Sequence, residues 1–446
     1  MKVPGFRVCV VGLWHLGCVY SGCLARLGYR VIGTDEDTRI IEKLKEGKPP
    51  IFEPGLDNLV AEGMAHGSLD FVEDIERGAL DADYVVIAYD TPVDAEDRVD
   101  LSPIFRAANR LKIATRHATF VVSSQVPVGT CEQIAMMLSD GGIAPDLAYV
   151  PENLRLGEAI ERFMKPEMIV IGANSPSTIS KVQALFAPIN TKVIQMDLRS
   201  AEMAKHALNA FLATSISFAN EVGNICDLVG ADALNVAKAL RSDSRIGQKA
   251  LLRPGLGFAG GTLARDLRIL QEAGKMHGYE TILLDSVLDV NQRQNASIVN
   301  RLKLLVGELG GKSVAVLGLT YKSGTSTLRR SAALEIISRL QQEGAAVKAF
   351  DPQVSRSDVA GETFLLCDDP YEVCENADIL VVLNDWPGFV DLDFKRIRGI
   401  MRVPTMLDTQ NLLDPSKVAE SGIRCIGMGR GTLVAREDET TDHTRH

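Results

Sequence analysis

The sequence has no apolar run approaching the roughly 20 residues that a bilayer-spanning helix requires, so a helical membrane protein is excluded. Its first residues, MKVPGFRVCVVGLWHLG, lack the long apolar core and small-residue cleavage site of a secretory leader. The expectation is a cytoplasmic protein with no membrane partner. The eight cysteines form no C-x-x-C pair, which argues against a zinc ribbon or a disulfide framework. They read as buried free thiols, and no metal site is expected. Aromatic residues are few, at 5%, and no basic block stands out. With 48 Lys+Arg against 58 Asp+Glu, nucleic acid is not a natural main partner. What remains is an ordinary globular composition, 46% hydrophobic and 24% charged, in 446 residues. That length suffices for two or three domains.

Short β-branched runs alternate with amphipathic helical stretches in the first half: FRVCVVGL, YRVIGTDED, ADYVVIAYD, ATFVVSSQ and EMIVIGA. This alternation predicts a parallel, doubly wound sheet. From about 199 the character changes. SAEMAKHALNAFLATSISFANEVGNICDLVG carries an apolar stripe at helical spacing with no proline, as an interdomain spine or dimer interface would. KSVAVLGLTYK, AAVKAFDP, ADILVVLND and VPTMLDTQN then restart the strand–helix alternation. The expected fold class is α/β, two Rossmann-like doubly wound domains joined by a long central helix. Expected boundaries are 1–198 for a NAD-binding domain and 199–300 for a central helical dimerisation region. Residues 301–435 form a second α/β domain, and 436–446 a polar, disordered tail.

The stretch VCVVGLWHLGCVYSGCLARLGYRVIGTDED reads as strand, glycine turn, helix, strand, acid. Gly12 permits the tight turn and Gly17 lets the helix approach the sheet. Asp35, ending the second strand, is placed to accept hydrogen bonds from an adenosine ribose. Trp14 takes the place of the middle glycine, either shielding the turn from solvent or obstructing the usual pose. An acid at Asp35, rather than an arginine, favours NAD over NADP.

IFEPGL, VPVGT, PENLRLGEA, AKHALNAF, RIGQKALLRPGLGFAGG and LGLTYKSGT occur in the order found in the UDP-glucose/GDP-mannose dehydrogenase family, and the chain resembles that family over about residues 5 to 430. The resemblance implies an N-terminal NAD-binding domain, a dimer built on the central helix and a C-terminal nucleotide-sugar-binding domain. It also implies oxidation of a sugar C6 alcohol to a carboxylate with two NAD. The second oxidation proceeds through a cysteine adduct, because an aldehyde yields hydride readily only as a tetrahedral species.

Residue by residue, the resemblance makes Lys205, Asn209, Asp266, Glu152 and, in the place of the family's cysteine, Thr262 the catalytic candidates. Lys205 and Asn209 sit four apart on one helix face and would stabilise an oxyanion. Thr91, Gln125 and Arg329 join Gly12, Trp14, Gly17 and Asp35 on the cofactor side. Arg245, Gly255, Gly257, Phe258 and Lys322 fall on the nucleotide-sugar side. The departures gather in one loop. Thr262 occupies the cysteine position, Arg265 that of a lysine and Ala259 that of a glycine. Gln125 replaces a threonine, Leu156 a second glutamate and Arg330 an acid. A threonine hydroxyl is almost wholly protonated at neutral pH, and His206 reads as a packed or exposed residue rather than an activating base.

Three functions follow. One is a NAD-dependent oxidoreductase of a nucleotide sugar limited to two electrons or redirected. The others are a full four-electron 6-dehydrogenase and a noncatalytic nucleotide-sugar-binding regulator.

Overall fold

The computed structural model describes residues 5–91, 99–114, 117–139, 142–259 and 261–431. The tail at 436–446 therefore lies outside the described residues. The chain divides into two compact units, 1–208 and 209–446.

The first unit holds an eight-stranded sheet of order β3-β2-β1-β4-β5-β6-β7-β8. Its strands are β1 (Arg7–Val11), β2 (Arg30–Thr34), β3 (Leu69–Val72) and β4 (Tyr84–Ile87), then β5 (Thr119–Val122), β6 (Asp146–Tyr149), β7 (Met168–Ala173) and β8 (Lys192–Met196). Both faces are covered, as a parallel sheet demands. Val8 and Val10 of β1 enter one apolar cluster, while Cys9 and Val11 enter the other. The strict two-residue period of a strand produces this division.

The sheet is not parallel throughout, which corrects the expectation. β6 and β7 pair antiparallel. The chain between them carries only the short helix Ala159–Met164 and returns at the same end of the sheet, so no crossover reverses it.

The second unit's sheet runs β11-β10-β9-β12-β13-β14, all parallel among the described pairs. Its strands are β9 (Ser313–Leu317), β10 (Ala346–Phe350), β11 (Leu365–Leu366), β12 (Ile379–Val382), β13 (Thr405–Asp408) and β14 (Arg424–Gly427). The same two-face division recurs, with Val314 and Val316 on one side and Ala315 and Leu317 on the other.

The fold class is thus the expected one, with a central helix at Leu198–Val229. At 1.5 Å per residue its 32 residues span about 48 Å. Ala201, Glu202, Lys205, His206 and Asn209 are buried along it, while Phe211, Phe218 and Ile225, seven residues apart, are exposed. Among the described residues no helix is long and apolar enough to cross a membrane.

Candidate active site

β1 ends in Gly12, whose φ of 92° takes the chain through a turn into the helix His15–Arg26. A Cβ on Gly17 would stand 1.7 Å from the Gly12 carbonyl oxygen, so the first helical turn packs on the loop as only glycine allows. Trp14 is the N-cap, makes no side-chain cap hydrogen bond and is 45% exposed. Asp35 accepts from Leu13 N at 2.6 Å through Oδ2 and from Asp37 N at 2.9 Å through Oδ1. Each carboxylate oxygen keeps a lone pair for a ribose hydroxyl.

These residues fit a dinucleotide. The turn is closed to any residue but glycine, the helix N-terminus carries no cap from its own N-cap side chain, and the acid sits beside the turn. Bound there, NAD accepts a hydride.

On the neighbouring strand ends, Thr91 Oγ1 donates to the Gln125 carbonyl at 2.9 Å, and both residues are buried. His15 Nε2 lies 2.8 Å from Glu53 Oε2. Burial of Glu53 alone would raise its pKa. The hydrogen bond with His15, together with those from Gly157 N and Ala159 N, outweighs burial and holds the carboxyl below its usual range.

Lys205 is buried, and a buried ammonium is costly unless paired. Its Nζ donates to the Glu152 carbonyl at 2.5 Å and lies 3.2 Å from Glu152 Oε1. Leu154 N in turn fixes Glu152 Oε2 at 2.7 Å. The first unit therefore brings Lys205 and Glu152 together as a positioned cation.

Two neighbours on the same helix lie outside the motif residues singled out above as candidates. Glu202, fully buried, accepts from Gly129 N and Cys131 N at 2.5 and 2.8 Å. Burial pushes its carboxyl up, and those backbone donors oppose the rise. His206 is packed, with Nε2 at 2.8 Å from the Val126 carbonyl. Glu202 and His206 thereby clamp the segment that carries Gln125. Their i, i+4 spacing on the Lys205 face is the signal that marks them.

In the second unit, Asn209 Nδ2 donates to Asp266 Oδ2, and both side chains are buried. Asp266 lies one turn into the helix Thr262–Met276, whose first residue, Thr262, is exposed. The preceding loop is shaped by amide side chains. Asn291 Oδ1 accepts from Phe258 N at 2.6 Å while its Nδ2 donates to the Phe258 carbonyl at 3.0 Å. Asn220 accepts from Gly255 N and Gln294 donates to the Gly255 carbonyl, at 2.8 and 2.6 Å. Asn295 accepts from Gly257 N at 3.1 Å. A side chain on Gly257 would come within 2.8 Å of the Asn291 carbonyl oxygen. The amide-rich run VNQRQN is the readable trace of this clamp.

The remaining candidates also lie in the second unit. Arg245 follows the helix Ala233–Ser242 with a side chain 86% exposed, bonded to Asp243. Lys322 is half-buried and Arg329 exposed, both on the long loop after β9.

A doubly wound sheet with a glycine turn, a helix whose N-cap residue supplies no cap, and a strand-end acid defines a NAD-dependent oxidoreductase. More specifically, the chain belongs to the UDP-glucose/GDP-mannose dehydrogenase family. The family's NAD binding domain matches residues 6–190, its central domain 199–293 and its UDP binding domain 315–415.

The UDP-glucose 6-dehydrogenase TuaD of Bacillus subtilis is 36% identical over 437 residues, covering 97% of this chain and 95% of that one. A UDP-glucose 6-dehydrogenase of Pseudomonas aeruginosa is 34% identical, covering 95% and 97%. The solved UDP-glucose dehydrogenase of the archaeon Pyrobaculum islandicum superposes with a TM-score of 0.87 at 32% identity, over 96% of this chain and 98% of that one.

Proposed function

We propose that this chain oxidises an alcohol of a UDP-sugar by a single hydride transfer to NAD, and that its chemistry ends or is redirected at the carbonyl. The observation that carries the reading is the exposed Thr262 at the head of its helix, one turn from a buried Asp266 that keeps its Asn209 partner. The groups that hold and polarise a substrate oxygen are retained; the nucleophile needed for a second oxidation is not. A helix N-terminus lowers a thiol pKa into the physiological range, but a hydroxyl starts far too high for the same help to ionise it.

In this reading the Lys205 ammonium, steadied by Glu152, stabilises the alkoxide formed as the hydroxyl proton passes to solvent water. In the second unit Asn209 is a hydrogen-bond donor toward the sugar, its amide oriented by Asp266. Gly255, Gly257 and Phe258 wrap the sugar, and Arg245 and Lys322 bind the nucleotide-sugar phosphates. Thr91 and Gln125 line the nicotinamide side, with Gly12, Trp14, Gly17 and Asp35 on the adenosine side. Residues 1–198, 199–300 and 301–435 divide these tasks among NAD binding, dimerisation and nucleotide-sugar binding in a cytoplasmic enzyme.

The test is NADH yield per sugar over a panel of UDP-sugars, with mass spectrometry of the product. One NADH and a carbonyl product, or an epimer with no net NADH, is expected. Two NADH with an acid product would overturn the argument from Thr262. Thr262→Cys should convert the first outcome into the second.

The chain works as a homodimer in this proposal. Phe211, Phe218 and Ile225, 69%, 49% and 53% exposed on one helix stripe, are what a second copy would bury. Phe218→Glu should shift the mass by light scattering from dimer to monomer; a monomeric wild type would refute the assignment.

A further inference from the structure

The N-terminus of the helix His15–Arg26 is where a dinucleotide's pyrophosphate belongs, because its leading N–H groups have no partner within the helix. One of those N–H groups is already engaged. Leu16 N donates to Asp90 Oδ2 at 3.1 Å. Asp90 is exposed and reaches across from the loop just past β4, while Trp14, the helix's own N-cap, supplies no side-chain oxygen. A second carboxylate, Asp35, holds Leu13 N on the same turn. The field of both is felt at the buried Cys18, whose thiol is pushed up by burial first and then by Asp90 and Asp35.

We infer that Asp90 is an internal stand-in for the pyrophosphate, a residue that lowers dinucleotide affinity by holding the anion position of this helix. Binding of a diphosphate requires the carboxylate to give up Leu16 N and then to remain near a like charge. The two costs have the same sign, so Asp90 sets how readily the cofactor enters and leaves. A helix cap alone does not require this arrangement. Capping is normally supplied by a Ser, Thr, Asp or Asn at the cap residue itself, and here that position is Trp14. The inference rests on the dinucleotide site and not on the reading of Thr262.

The experiment is calorimetric titration of the full-length protein, without sugar, using NAD, ADP-ribose and adenosine as three separate probes. Asp90→Asn keeps an oxygen for Leu16 N and removes the charge; Asp90→Gly removes both. A carboxylate at a helix N-terminus is worth enough to predict about three- to thirtyfold tighter NAD and ADP-ribose in both variants. Adenosine, which has no diphosphate, should bind wild type and variants alike.

Unchanged or weaker NAD binding in both variants would overturn the inference, assigning Asp90 to the ribose or to the turn. An equal gain for adenosine would also overturn it, because the effect would then not be that of a competing anion. Failure of wild type and variants alike to bind NAD and ADP-ribose would remove the dinucleotide site and the inference together. A one- or two-NADH stoichiometry leaves the inference untouched.

Discussion

The two sheets of this chain begin with the same device and put it to different uses. In the first, β1 ends in Gly12 at φ 92°, whose N donates to the Thr34 carbonyl at 2.9 Å. In the second, β9 ends in Gly318 at φ 94°, whose N donates to the Phe350 carbonyl at 2.8 Å. Asp35 takes Leu13 N and Asp37 N; Asp351 takes Leu319 N and Gln353 N, at 2.7 and 3.0 Å. The strand orders β3-β2-β1-β4-β5-β6 and β11-β10-β9-β12-β13-β14 correspond one to one.

Beyond this point they diverge. Asp35 has spare acceptor capacity, whereas Asp351 Oδ2 also receives Thr320 N, Thr320 Oγ1 and Trp386 Nε1, at 3.0, 3.2 and 3.1 Å. After Gly12 a helix begins at His15 with no cap from its own N-cap residue, its Leu16 N held instead by the exposed Asp90. After Gly318 the chain wanders through the loop 319–331, and its next helix is capped by its own Ser331, which accepts from Ala333 N. One half keeps a free acid beside an anion-binding helix end; the other uses the same acid to tie a loop down. A strand–glycine–acid pattern is therefore a folding device first. It becomes a dinucleotide site only when a helix N-terminus stands beside the turn and the acid keeps acceptor capacity.

The sharpest way to break this comparison is at the position that the first half needs and the second does not. Gly17→Ala puts a methyl on top of the Gly12 carbonyl oxygen, where no rotamer relieves it. The expected loss is about 4 kcal/mol or more, read as a collapse of the calorimetric melting temperature or of soluble yield. Ser323 lies at the same offset from Gly318 but in the irregular loop. Ser323→Ala should change stability by less than about 0.5 kcal/mol. Equal losses at both positions would mean that the second turn packs as tightly as the first.

The paired acids come next. Asp35→Ala should weaken NAD about ten- to a hundredfold by titration, with a modest fall in stability. Asp351→Ala should leave the NAD affinity of folded protein unchanged and cost about 3 kcal/mol. It strands the buried donors of Leu319 and Thr320 and frees the half-buried indole of Trp386.

How much of this was legible beforehand follows from the range of each interaction. The Gly12–Gly17–Asp35 turn is written in one continuous stretch, as are the central helix and the runs that became β1, β2, β4, β5, β7, β9, β10, β12 and β13. Five strands lie outside the apolar runs of the sequence: β3, β6, β8, β11 and β14. β11 has only two residues, β8 is half-exposed, and β3, β6 and β14 each carry a charged residue, Asp70, Asp146 and Arg424. The antiparallel turn-back at β7 depends on what the connection does in space, which periodicity does not encode.

Within the site, Lys205 and Asn209 are local to one helix. Their partners Glu152 and Asp266 are separated from them by 53 and 57 residues. The amide clamp on the Gly255–Phe258 loop spans similar gaps, 33 to 39 residues. The run VNQRQN shows the amides, but nothing in it says which distant backbone groups they hold. The saturation of Asp351 is equally hidden, because the indole that completes it arrives from 35 residues away.

Trp386 offers the smallest and most discriminating test. Trp386→Phe removes the indole donor from Asp351 and leaves three of the four bonds to Oδ2 in place. The cost should be about 1 kcal/mol, a fall of roughly 2–4 °C in melting temperature for a unit of this size. The change also returns a lone pair to Asp351, making it more like Asp35. If a free acceptor beside a glycine turn were enough, the variant would bind a second dinucleotide per chain. Calorimetry should instead give one NAD per chain before and after the change, because the helix that follows Gly318 starts only at Ala332 and is capped by its own Ser331. A second site appearing in Trp386→Phe would show that the acid, and not the helix end, is what separates the two halves.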